Sequence, residues 1–460
     1  MQSHFRITVS VFVFISIGLA LTLLVFQNIV FKVIPFSIDA NAINHKPPSL
    51  SNNGNRVPSS PPSPPQLNAV STSDCVTYNP STRTIDVSCS TPTRLTDIDN
   101  RLHDVSVLVR QSPGVWFLNA NLIIAKGATV HIDSTDTKWL KISSMVTRGS
   151  GSAKIAPAYI IDVHGSLEVD SVKITSWDPK TNYYAITNGS RTGDITHLGA
   201  PRPSIVVENN ATGTTDIANS EIAYLGYEQG QHKGGSGLSY YYGGDGSVIR
   251  NNDIHHLYFG LYTFGVGHMI IENNLIRNSG HYGLDPHTVT HDMIIRNNAV
   301  YDNNGSGITC SLNCYNILIE HNKVHDNAGD GINFSRNMYN SIARNNIVYN
   351  ELAGIIVSQS HNNVIYNNTI SDSGTGINVA HSTRNKIYGN MITNSISDAL
   401  LINGASIENT FSSNKLVSAT PQGLKIVQDA TSNNSNIFSN NQLVHSGVLG
   451  KTISIHALKK

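Results

Sequence analysis

Asparagine returns through the second half of the chain at a nearly fixed interval, and few folds accept that pattern. In phase are Asn252, Asn274, Asn298, Asn322, Asn346, Asn368 and Asn390, with steps of 22, 24, 24, 24, 22 and 22 residues. A period this short leaves no room for a helical hairpin. Because the residues between are mainly Ile, Val, Gly and polar turn formers, each repeat predicts one turn of a parallel β-helix. The fold class predicted is therefore all-β, a parallel solenoid. Successive turns would stack about 4.8 Å apart, so that the Asn column can form an internal ladder of side-chain amides.

A Gly followed by an apolar residue recurs in the same phase, at Gly237-Leu238, Gly260-Leu261, Gly283-Leu284, Gly307-Ile308, Gly331-Ile332, Gly354-Ile355 and Gly376-Ile377. Counting from this Gly turns the sequence into columns of stacked neighbours. Two residues on, the column reads Ser239, Tyr262, Asp285, Thr309, Asn333, Ile356 and Asn378; four on, it reads Tyr241, Phe264, His287, Ser311, Ser335, Ser358 and Ala380. Asp285 and His287 are two apart and so share one strand face. Arg336 follows the column of His287 by one residue and lies two coils away, about 10 Å by the stacking distance.

His281-Tyr282-Gly283-Leu284-Asp285-Pro286-His287 is the one repeat in which titratable groups crowd together. Tyr282, Asp285, His287 and Arg336 are the candidate catalytic residues. A base, a proton donor and a cation that neutralises a carboxylate suit abstraction of the proton next to that carboxylate, which in a uronic acid is on C5. Tyr240, Tyr241, Tyr242, Tyr258, Tyr262 and Phe264 supply aromatic faces for sugar rings. We read Lys233, Tyr240, Tyr262 and Asn333 as substrate-binding. The alternative for each is ordinary: Asp-Pro-His can be only a turn, Arg336 a solvated charge, and Lys233 a residue of a Gly-rich loop.

The earlier chain reads as short irregular strands, at 115–118, 122–125, 129–132, 139–142, 159–163, 166–175 and 205–207, with a long polar loop from Asp178 to Arg202 leaning over a neighbouring face. Before them, the apolar spacing at residues 95, 98 and 102 predicts one short helix within Pro92–Asp104, capping the open edge of the first coil. The divisions expected are a signal anchor at 1–36, a Pro- and Ser-rich linker at 37–73, a cap at 74–114 and the β-helix at 115–460. The apolar run Ile7–Phe31 is long enough to span a bilayer, so the rest of the chain is expected outside the cytoplasm, at the cell surface or, if the segment is cleaved, secreted. An oxidising compartment suits two disulfides, Cys75 with Cys89 and Cys310 with Cys314. With 31 basic and 31 acidic side chains the formal net charge is +0, so no global field recruits nucleic acid. No metal site or cofactor is expected; Gly243-Gly244-Asp245-Gly246 is only a loose likeness of a calcium-binding turn. A monomer acting on an anionic polysaccharide is the reading of the residues.

The run Tyr282-Gly283-Leu284-Asp285-Pro286-His287, followed by Met293-Ile294-Ile295-Arg296-Asn297-Asn298 and Val300-Tyr301-Asp302-Asn303, resembles the signature of mannuronan C5-epimerases, and the likeness extends upstream through Val115–Ala120 and Thr175–Asp178. That resemblance implies a right-handed parallel β-helix that converts mannuronate to guluronate within alginate, with His287 in the place of the family's proposed catalytic His, and Tyr282 and Asp285 in those of the motif Tyr and Asp. It is nearer to the periplasmic single-module branch than to the calcium-dependent one. Two departures stand out: Thr288 occupies a place that is often acidic, and Leu312 one that is Arg in the periplasmic branch, with Arg336 one coil later as its replacement. The competing readings are a polysaccharide lyase, which shares the first proton abstraction, and a non-catalytic carbohydrate-binding β-helix.

Overall fold

The computed structural model describes residues 74–144, 158–186, 201–227, 235–432 and 435–445, together with the backbone of Val448–Gly450 and Ile455–Leu458. The apolar run Ile7–Phe31, the linker and Lys233 lie outside these residues. No helix among the described residues is long and apolar enough to cross a membrane.

The chain winds as a parallel β-helix. Its described strands form three sheets of 15, 13 and 15 strands, the central coils giving one strand to each and antiparallel hairpins adding strands to two of the sheets at the ends. Sheet A includes Phe259–Phe264, Leu284–His287, Ile308–Ser311 and Ile332–Ser335; sheet B includes Ile270–Glu272 and Ile294–Arg296; sheet C includes Leu275–Arg277 and Ala299–Tyr301. The predicted register holds. Ser239 pairs with Tyr262 and Tyr262 with Asp285, while Phe264 pairs with His287 and His287 with Ser311. Inward positions carry Ile, Leu and Val with almost no exposure, such as Ile271, Ile295 and Ile319 at 0%. Each such side chain contributes about 1.5–3 kcal/mol on burial. The repeated Gly has a steric cause: a Cβ at Gly283 would stand 2.5 Å from Val300 Cγ1 and 2.6 Å from the carbonyl of Gly307.

A short cap closes the first coil. The hairpin Val76–Asn79 with Thr84–Val87 is antiparallel and joined by the Cys75–Cys89 disulfide. The expected helix is Leu95–Leu102, which buries Leu95 and Ile98, and Asp97 accepts a hydrogen bond from the Arg94 backbone at 2.9 Å. This carboxylate satisfies a donor at the helix start. The stretch 166–175, read as one strand, is two, Ser166–Asp170 and Lys173–Trp177, because Ser171 turns a corner in the left-handed region at φ 58°. What is described of the Asp178–Arg202 loop does lean on a sheet: Tyr184 stacks on Tyr224 at 4.5 Å and meets the edges of Trp139 and Trp177. The tail continues the solenoid, with Ile455–Leu458 pairing with Ile426–Asp429. The second expected disulfide is absent. Cys310 and Cys314 are both free and buried, and the Cys314 thiol donates to the Ser311 carbonyl at 3.0 Å. Leu312 and Asn313 between them are both left-handed, at φ 66° and 63°, so this spacing of four makes a tight bend and not a cross-link.

The asparagine column is an unbroken internal ladder. From Asn252 through Asn274, Asn298, Asn322, Asn346, Asn368, Asn390 and Asn414 to Asn441, each Nδ2 donates to the next Oδ1 at 2.9–3.0 Å. The same Oδ1 also accepts a backbone N–H, as Asn322 accepts from Asn298 at 3.0 Å. A second column runs Ser279, Asn303, Asn327, Glu351 and contains a carboxyl where its neighbours have amides. Burial pushes the Glu351 carboxyl up to about 8, only partly countered by the hydrogen bonds from Asn327. The folded chain thus holds a proton that the unfolded chain has lost, so stability from this group is full below about pH 4.5 and is lost as pH rises to about 8. Glu351→Asn restores an amide to the column. Melting curves from pH 5 to pH 9 should show the native chain losing on the order of 4 kcal/mol relative to this variant as pH rises; parallel curves would mean that the carboxylate is solvated.

Candidate active site

Sheet A presents its outward face between the first and last full coils, and the strand Leu284–His287 lies in the middle of it. Strand alternation turns Leu284 and Pro286 into the core and Asp285 and His287 outward. His287 sits below Tyr262 and Phe264 of the preceding coil, with ring centroids 5.7 and 6.2 Å away. From the other direction Arg336 reaches back across the intervening coil. Its Nη2 lies 3.0 Å from His287 Nε2 and donates to Ser311 Oγ at 2.8 Å.

These contacts fix the state of the imidazole. A guanidinium can only donate, so His287 Nε2 must carry a lone pair, and the proton resides on Nδ1, which faces Thr288 Oγ1 at 2.6 Å. Burial, and then the Arg336 charge, bring the His287 pKa down to about 4. The ring is neutral at physiological pH. Asp285 is 3% exposed, and its Oδ1 has no hydrogen-bond partner among the described residues. Burial holds this carboxyl well above the usual carboxylate range, with Arg336 opposing. Burial and the neighbouring Asp285 also raise the Tyr262 and Tyr282 hydroxyls, which remain protonated donors. The site thus combines one neutral base, two phenol donors, one buried carboxyl and one cation.

Asn333 belongs to the same outward column, and its Oδ1 is likewise unpartnered; Nδ2 donates to Asp330 at 3.4 Å. Ser239, Thr309 and Asn378 in that column also hold side-chain oxygens without partners among the described residues. Tyr240 is a correction. It is 0% exposed, and its hydroxyl donates to the Thr215 carbonyl at 2.9 Å, because it has the inward parity of Thr263, to which it pairs, and of Pro286. The aromatic side chains on this outward face are instead Tyr241, Tyr262 and Phe264, with Tyr241 packed 5.7 Å from Tyr262. Ser311 and Thr288 escaped the sequence reading as site residues. Ser311 stood in the column of His287, where its hydroxyl was the signal. Asp245 of the Gly-rich turn uses Oδ1 to accept from the Gly267 backbone at 2.9 Å, a contact between coils.

The family profile described as periplasmic copper-binding protein (NosD) matches residues 207–420 and 348–448, together more than half of the chain. A mannuronan C5-epimerase of Pseudomonas fluorescens is 26% identical over 197 residues, covering 40% of this chain. The match spans 32% of that curated relative, about a third of its length. The crystal structure of the periplasmic alginate epimerase AlgG superimposes with a TM-score of 0.66 at 21% identity, over 78% of this chain and 84% of that one. At that identity the likeness establishes the parallel β-helix, and the sequence match agrees with the resemblance carried by the Tyr282–His287 motif.

Proposed function

We propose, for a chain that belongs to the family described as periplasmic copper-binding protein (NosD), the activity of a C5-epimerase acting on mannuronate residues within an alginate-like polyuronate. The observation that carries this reading is the lone pair of His287 Nε2 held 3.0 Å from a guanidinium on the outward face of sheet A, which we take as the polymer-binding groove. The homology to a mannuronan C5-epimerase supports it.

In the proposed reaction the substrate carboxylate takes Arg336, which leaves His287 Nε2 free to face C5. The C5–H bond breaks toward Nε2, and its electron pair moves into the carboxylate, whose growing charge is met by Arg336. Tyr262 or Tyr282 returns a proton to the opposite face of C5, giving guluronate. Hydroxyls that stay protonated are suited to this role. Tyr262, Asn333 and Lys233 bind neighbouring sugars. No cofactor enters, because the cation that the carboxylate needs is a side chain. The family description speaks of copper; among the described residues the one three-ligand cluster is His268, His291 and Asp292, on the turn beyond the groove. We place the protein outside the cytoplasm, acting as a monomer on an anionic polysaccharide.

Proton NMR of polymannuronate incubated with the full chain in heavy water tests the proposal. Guluronate signals with deuterium at C5 are the expected result. Unsaturated ends absorbing in the ultraviolet would instead identify a lyase, and an unchanged polymer would remove mannuronate as substrate.

A further inference from the structure

Past the catalytic strand, every coil turns a corner through one residue in the left-handed region. Over successive coils this position is held by Gly246, His268, Asp292, Asn316, Asn340, Asn362, Arg384 and Glu408, with φ between 51° and 80°. Asn is the ordinary side chain for such a turn. Asn holds it in three coils; the two coils after Gly246 carry His and Asp instead, and between them, one residue before Asp292, stands His291.

The three side chains converge. One ligand atom from each lies within 4.8 Å of the others. The rings of His268 and His291 are 5.7 Å apart and perpendicular, and His291 Nδ1 is 2.8 Å from Asp292 Oδ2. Two contacts look prepared for this grouping. Gly267 leaves room for the His291 ring, since a Cβ there would stand 2.5 Å from its Cε1. Asn316 Nδ2 donates to Asp292 Oδ1 at 3.0 Å, orienting the carboxylate from outside. On the far side His291 stacks on Tyr315 at 5.0 Å, which fixes the plane of the imidazole. Asp245 also faces this corner from the coil above and is held by the Gly267 N–H.

We propose that His268, His291 and Asp292 form a binding site for a divalent transition-metal ion. Two imidazoles and a carboxylate suit Zn²⁺ or Cu²⁺ better than Ca²⁺ or Mg²⁺, which prefer oxygen ligands. Metal–ligand bonds of about 2.0–2.2 Å require the three atoms to close inward from their present spread, and His268, which is exposed, is free to swing. Solvent completes the coordination. The ion would tie the coil ending in Phe264 to the coil ending in His287, one turn beyond the groove, without entering the proton transfer.

The column itself supplies the test. His268→Asn and Asp292→Asn each install the residue that the next three coils, at Asn316, Asn340 and Asn362, use at this corner, so both variants should fold; His321→Asn makes the same exchange at another left-handed position, φ 56°. Titration of the full, untagged chain with Zn²⁺ in a calorimeter should give one equivalent bound. We expect affinity to fall by more than about 100-fold in His268→Asn and Asp292→Asn, by about 10- to 100-fold in Asn316→Ala, and to stay unchanged in His321→Asn. The Cu²⁺ form should show electron paramagnetic resonance coupling from two nitrogens, reduced to one in His268→Asn. Absence of saturable binding, or binding that neither Asn variant weakens, would overturn the site.

Discussion

Replacement of His287 by Ala is expected to slow C5 deuterium incorporation into polymannuronate by about 10³-fold or more, within the range for loss of a positioned base, while polymer binding measured by calorimetry stays within a few-fold. The native pH profile is equally diagnostic. With the imidazole held down to about 4, the base form prevails throughout the neutral range, so the rate should be flat from about pH 5.5 to pH 7.5 and decline only toward pH 4. An ordinary imidazole would give an inflection near 6.5. Arg336→Ala should raise the KM and move the inflection upward, though only part of the way, because the enclosure by Tyr262 and Phe264 that depresses the ring most remains. A His287→Ala variant with undiminished exchange, or a native inflection near 6.5 together with an unchanged profile in Arg336→Ala, would sink the assignment.

The second large effect belongs to stability. Asn322→Leu keeps the branched outline of the side chain, with bulkier methyl ends, and removes its amide from the ladder. Asn298 then loses the acceptor for its backbone N–H and for Nδ2, and the Ile295 carbonyl loses its donor. Orphaned buried groups cost about 1–3 kcal/mol each, so a loss of roughly 4–6 kcal/mol is expected, measured as a lowered denaturant midpoint. The same change on a half-buried turn outside the ladder, Asn345→Leu at φ 54°, tests mainly backbone strain and should cost clearly less. Equal losses would show that the ladder adds little beyond filling space.

Much of this was legible before any coordinates, and the reason is the repeat. Stacking converts a one-dimensional count into neighbours, so that Asp285, His287 and Arg336 could be placed on one face although 51 positions separate the outer two. The inside-or-outside parity of Tyr240 was legible too, since Phe334 and Val357 three residues after the repeated Gly are plainly core. Counting it among the surface tyrosines ignored that parity. The fate of Cys310 and Cys314 was not legible, because it depends on two consecutive left-handed residues between them. Nor could spacing say which imidazole nitrogen holds the proton; that depends on the Arg336 rotamer and on the hydroxyls of Thr288 and Ser311. The early coils hide their period because their connections differ in length, as the stretch from Trp177 to Ser204 does.

A row of amides joined only to its neighbours behaves as a one-dimensional lattice. Thermal opening in such a lattice begins at the ends, where a coil has one partner, and travels inward one coil at a time. The coils of His287 and Arg336 are interior ones: Leu284–His287 and Ile332–Ser335 are the eighth and tenth of the 15 strands of sheet A. The groove is then still by virtue of position: fluctuations spend themselves in the cap and the tail, and the spacing between base and guanidinium is kept by the many coils above and below it.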